Sequence, residues 1–188
     1  MEIDRALEIA REAGFKEVFP MDPQKLKFLD AVRDMCVVNK CGQYDKKWVC
    51  PPGCGSIEEM ASRYNRFQNG VIFQTIWNME DEYDVDAMYG VAESHKSATG
   101  KLLVMLSKID EEIAPFGEDG CGFCKECTYP DAPCRFPERA FPSLSACGLL
   151  VSDMCKDNDV TYYYGRNTVA LTGAFLFNPK ESTTASRV

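Results

Sequence analysis

The chain is 188 residues long, 45% hydrophobic, 11% aromatic and 27% charged, with a net charge of −8. That composition supplies a sizeable core and excludes a disordered chain, and the negative charge speaks against nucleic acid, which needs a basic face. No run nears the ~20 apolar residues of a membrane helix, and the N-terminal MEIDRALEIAREAG has no signal-peptide core, so a single cytoplasmic domain over 1–188 with no membrane partner is expected.

Ile3, Leu7, Ala10 and Ala13 recur at helical spacing, which predicts an amphipathic helix over 2–13 stopped by Gly14. Residues 15–19 read as a short extended piece before Pro20, and Asp22-Pro23 as an N-cap with Pro at the first position of a weak helix. Residues 30–35 supply a turn or two of helix that delivers Cys36. After a loop over 36–56, Ser56 and Glu59 match a capping box, and Met60, Tyr64 and Phe67 continue the helix to Gly70. Residues 71–77 (VIFQTIW) are predicted as a strand. The acidic run Glu80, Asp81, Glu82, Asp84 and Asp86 has two readings, a solvated loop or a docking patch for a basic partner.

The longest periodic segment covers 86–113. Met88, Val91, His95, Thr99, Leu102, Leu106, Ile109 and Ile113 mark its core face, and Gly90 and Gly100 weaken it by roughly 1 kcal/mol each against Ala. A second loop covers 117–143, and a short helix or strand lies near 145–154. Segments 160–164 and 169–177 flank Gly165-Arg166-Asn167-Thr168 as a predicted hairpin, and the chain from Asn178 reads as a frayed tail. The class is α+β, a small sheet covered by helices, with two cysteine-rich loops at about 36–56 and 117–143. Burial alone does not hold such loops, so something must staple them.

Eight of the ten cysteines fall in those loops. In a reducing compartment disulfides are disfavoured, and short turn-rich spacing points to metal ligation. The second quartet is Cys121-x2-Cys124-x2-Cys127-x6-Cys134. Successive x2 spacings aim three thiolates at three corners of a [4Fe–4S] cubane, and a more distant cysteine takes the fourth. Its last cysteine arrives later than in the bacterial ferredoxin run and lacks the following Pro. Zinc sites more usually show two separated C-x2-C pairs. Gly120 and Gly122 offer backbone curvature around these ligands.

The first quartet is Cys36-x4-Cys41-x8-Cys50-x3-Cys54. Pro51, Pro52 and Gly53 stiffen its last turn, and the helix starting at Ser56 would favour a negatively charged site beside Cys54. Cys147 and Cys155 read as buried core thiols, with Cys147 the better substitute for Cys54 or Cys134. His95 reads as a core histidine. No Ser/His/Asp set, P-loop or G-x-G-x-x-G is present. Lys125 and Arg135 flank ligands, either offsetting cluster charge or simply lying at the surface.

The segments VRDMC, NKCGQYDKKWVCPPGCGSIEEM, GCGFCKEC and PCRFPERAFPSLSACG together resemble a family of predicted metal-binding proteins found mainly in anaerobic bacteria and archaea, a domain of unknown function. The resemblance spans about residues 30–180 and rests on C-P-P-x-C, C-x2-C-x2-C, P-C-R-x-P and P-S-x-x-A in combination. It implies metal binding by Cys36, Cys41, Cys50, Cys54 and by Cys121, Cys124, Cys127, Cys134, and no particular reaction. The expected function is an iron–sulfur protein with two [4Fe–4S] clusters that exchanges electrons with a redox partner. Two alternatives stay open: an enzyme with one open iron corner, and a structural zinc protein whose loops form an interaction surface.

Overall fold

The computed structural model describes residues 1–80, 84–109, 112–117 and 121–179. Among these, strands β1 (Glu17–Met21), β2 (Asn69–Asn78), β3 (Ile113–Pro115) and β4 (Thr168–Phe177) form one antiparallel sheet in the order β1-β2-β4-β3. β2 and β4 pair along their whole length, from Asn69 opposite Phe177 to Asn78 opposite Thr168. Alternation along these strands sorts the core into two layers. Val71, Phe73, Phe175 and Phe177 face one side, and Ile72, Ala174 and Leu176 face the other.

Helices α1 (Ile3–Ala13) and α4 (Val85–Leu106) cover the first face. Ala6, Ile9 and Ala10 of α1 meet Leu102 and Leu106 of α4 over the phenylalanines. Small residues on α1 let it lie close to the sheet. The second face packs against α3 (Ile57–Tyr64) and α5 (Val151–Asp157) through Met60, Tyr64, Met154 and Cys155. Tyr64 stacks on Phe116 there, centroids 4.5 Å apart. The class is therefore α+β, a four-stranded sheet between helices. None of the described helices is long and apolar enough to cross a membrane.

Several boundaries differ from expectation. Pro20 lies inside β1, opposite Val71; β1 is an edge strand, where a missing N–H costs no ladder bond. Helix α3 stops at Tyr64, so Phe67 reaches the core from the connection to β2, and Gly70 sits within that strand. Helix α4 ends at Leu106, and Ile113 belongs to β3, because Ile113, Ala114 and Pro115 find partners in Phe177, Leu176 and Phe175. Helical periodicity ran on past the helix because both elements bury apolar residues in the same layer. The region 145–154 is tight turns followed by α5, which begins only at Val151.

The hairpin does not form: residues 160–164 are not a strand, and β4 pairs with β2 and β3 instead. The buried Gln74 of β2 bonds two polar groups of that segment. Its Nε2 donates to Thr161 O (3.0 Å) and Thr172 Oγ1 (3.1 Å), and its Oε1 accepts from Tyr164 OH (2.7 Å). Asp22 caps a 3-10 turn over Pro23–Lys25 in place of a weak α-helix. Asp81 and Glu82 of the acidic run, Gly120, and the tail from Lys180 lie outside the described residues.

His95 is a core histidine, as expected. It is buried on the α4 face beside Phe15 and Phe73, with Nδ1 2.8 Å from Thr75 Oγ1. Burial lowers its pKa to about 4, so the ring is neutral at pH 7.

Candidate metal centre

Two regular elements hold the first quartet. Helix α2 (Asp30–Val37) carries Cys36 in its last turn, and Cys54 stands two residues before Ser56, the N-cap of α3. The capping box is present: Ser56 Oγ accepts from Glu59 N (3.2 Å), and the Glu59 carboxylate accepts from Ser56 N (2.6 Å). Both helix starts converge on residues 143–149. Leu29 N donates to Gly148 O (2.8 Å), Phe28 and Leu149 form a bridge, and Cys54 Sγ lies 3.7 Å from Ala146 O.

Cys50 is buried, Cys36 and Cys54 are half-buried, and Cys41 is exposed. The four thiols lie close enough that Cys41, Cys54 and Cys36 all act on Cys50, and burial pushes the Cys50 thiol up to about 11. Burial also raises Cys36 and Cys54, against the opposing charge of Arg33. These thiols are protonated in the metal-free protein, so metal uptake here must release protons. Arg33 lies one turn before Cys36 on α2, and its Nη1 donates to Gly55 O (2.8 Å) at the Cys54 turn.

The second loop is pinned at its base, where Gly117 bridges Ser143 and donates to Pro142 O (2.8 Å). Inside it, Thr128 Oγ1 donates to Pro133 O (2.9 Å) and Arg135 Nη1 to Glu126 O (3.0 Å), while Arg139 lies over the Phe123 ring. Cys121, Cys124, Cys127 and Cys134 all line one cavity of about 230 Å³. Lys125 and Arg135 border it too, and both are exposed, as the surface reading expects. Lys46 and Lys47 of the first loop complete the cationic wall, and among the described lining residues Glu126 is the only carboxylate. Gly122 has an ordinary backbone conformation, so the turn does not require glycine there.

The two loops are clasped together. Lys47 Nζ donates to Cys121 O (2.7 Å), Trp48 Nε1 to Ala132 O (3.1 Å), and Tyr129 OH to Asp45 Oδ1 (3.0 Å). The Trp48 and Tyr129 rings meet edge-on, centroids 4.9 Å apart. Gly53 makes this approach possible: a Cβ there would sit 2.7 Å from Lys47 O and 2.8 Å from the Tyr129 ring. None of Arg33, Lys47, Trp48 or Tyr129 stood out from the sequence. Helical i, i+3 spacing of Arg33 and Cys36 was the one available signal.

Cys147 and Cys155 are both buried, as expected of core thiols. Cys155 lies near Gln74, 3.9 Å from its Nε2. Cys147 sits beside Cys54, which acts on it electrostatically, and burial pushes its thiol up to about 12. Among the described residues, no three His, Cys, Asp or Glu side chains are arranged as ligands of one metal ion. The donor set nevertheless suits an anionic thiolate-ligated cluster. Four cysteines border a cavity larger than one zinc ion needs with sulfur at about 2.3 Å, and cationic residues line its wall.

No curated protein and no solved structure matches the chain. A family model described as predicted metal-binding protein (DUF2284) matches residues 20–177, a span containing both quartets and the clasp, and the chain belongs to that family of predicted metal-binding proteins.

Proposed function

We propose that each cysteine quartet holds a [4Fe–4S] cluster and that the protein passes electrons to and from a redox partner. The observation that carries this reading is the single cavity of about 230 Å³ bordered by Cys121, Cys124, Cys127 and Cys134 and walled by cations from both loops. A fully thiolate-ligated cluster supplies one-electron redox chemistry. The chain's own residues do the rest. Lys46, Lys47, Lys125 and Arg135 offset negative charge, and the loop clasp brings the two quartets to one region of the molecule. With eight thiolates committed to two clusters, no iron corner is left for a substrate, which favours electron transfer over catalysis. Anaerobic purification followed by metal and sulfide analysis tests the reading. It predicts about eight irons and eight acid-labile sulfides per chain and broad absorption near 400 nm. Stoichiometric zinc without sulfide would replace it with the structural zinc reading.

A further inference from the structure

Arg33 is an unusual feature of the first loop. One of its N–H groups is spoken for, Nη1 to Gly55 O at 2.8 Å. Nε and Nη2 are buried and have no hydrogen-bond partner. A desolvated guanidinium with unmet donors costs free energy unless an anion meets it. The exposed Glu58 carboxylate on α3 feels the charge of Arg33 but bonds neither orphaned donor, and the backbone neighbours of those donors are the cysteine turns of the first loop. Cys36 follows Arg33 by three residues on α2, hence on the same helical face. The Gly55 tether holds the guanidinium against the turn that carries Cys54. Its charge is also felt at Cys36 and Cys54, and at Cys147 beneath them.

We propose that Arg33 is a positioning and charge-compensating residue of the first metal centre, donating through Nε and Nη2 to the thiolate sulfurs of Cys36 and Cys54 when that quartet is metallated. This rests on the cluster reading of the first quartet and deepens it. Metallation converts neutral thiols into thiolates, and the cluster they bind becomes more negative still on reduction. A fixed cation beside it therefore stabilises the reduced form and raises that centre's potential relative to the same centre without it. The planar fork of arginine reaches two sulfurs while keeping its tether, which the single ammonium of lysine does not.

The experiment is an anaerobic redox titration of the wild type, Arg33→Lys and Arg33→Met, with iron, sulfide and melting curves measured on the same samples. In Arg33→Met one of two transitions should move to lower potential, its reduced-to-oxidised ratio at fixed potential falling about tenfold, roughly 59 mV for a one-electron couple. Arg33→Lys should move the same transition less, and the other transition should stay in place in both. Loss of about half the iron from a still-folded Arg33→Met would also support the proposal, because the unsupported quartet is then the one that empties. If Arg33→Met fails to fold, Arg33→Lys carries the test: a smaller downward shift supports the proposal and none overturns it. Two unmoved transitions in a fully loaded Arg33→Met would overturn it and leave the cluster reading intact. A wild type that takes up only four irons would overturn the cluster reading of one quartet. Should the emptied one be the first, the Arg33 proposal falls with it.

Discussion

The two cysteine loops solve the same problem by different means. The first is slung between α2 and α3, with a capping box behind Cys54, a backbone bond from Leu29 to Gly148, and Cys50 buried. Among the described residues, the second has a 3-10 turn (Pro137–Arg139) as its only regular piece, and it is held by its pinned base, a few internal bonds and the clasp to the first loop. A site framed by helices keeps its backbone when the metal leaves. A site framed by loop has little besides the metal and its neighbour to keep its shape. Residues 143–149 join the two designs, since Ser143 closes the second loop and Gly148 anchors the first.

The sharpest way to break this contrast is to remove the metal. Limited proteolysis of the chelated protein should cut within 121–142 before 36–55. The rate at the second loop should rise roughly a thousandfold over the loaded form, still small against the free energy of a structural metal site. Mass spectrometry of the first fragments reads the order. Equal cleavage of both loops would mean that the helices lend the first loop no stability of its own.

Next in size is Gly148→Ala. Gly148 has φ +82°, and a Cβ there would press on the Ile57 side chain and lie 3.0 Å from Leu29 O, at the starts of α3 and α2. Left-handed strain and crowding together should cost about 3 kcal/mol, lowering Tm by roughly 10 °C in a chain of this size. If this strap, residues 143–149, supports the first loop chiefly, metal should dissociate faster there than from the second quartet, as followed by iron release.

Acid provides an internal control, because His95 belongs to the α4 face and to neither loop. Its folded pKa, about 4, lies below the ordinary 6.5, so the unfolded chain takes up the proton first. The associated stability is complete above about pH 6.5 and declines as pH falls towards 4. Between pH 7 and 5 the loss should be about 2 kcal/mol by denaturant unfolding. His95→Gln should remove that portion equally in loaded and chelated protein. A loss that depended on metal would tie the α4 layer to the loops.

The smallest effect is expected from Tyr129→Phe. It deletes the exposed Tyr129–Asp45 bond while keeping the ring against Trp48. The cost should be about 0.5–1 kcal/mol, seen as a few-fold faster cleavage of the second loop with the first unchanged. A matching change in both loops would show that the clasp steadies them mutually.

Much of the framework followed from local pattern. The apolar spacing of α1, the Ser56–Glu59 capping box and the VIFQTIW strand needed only neighbours within a turn or a few residues, and each appears in the structure. The two cysteine quartets are visible for the same reason, since cysteine spacing is a local property of the chain. Long-range partners decided the rest. Ile113 left the helical periodicity because Phe177 offered it a strand partner, and in place of the hairpin β4 pairs with β2 and β3 while Gln74, far away in sequence, bonds Thr161 O and Tyr164 OH. The meeting of the loops is of the same kind. Lys47 on Cys121, Trp48 on Ala132 and the orphaned donors of Arg33 beside Cys54 depend on segments brought together by the sheet and the 143–149 strap. Periodicity reports which face of an element is buried. It carries no information about what that face, or a buried charge, will meet.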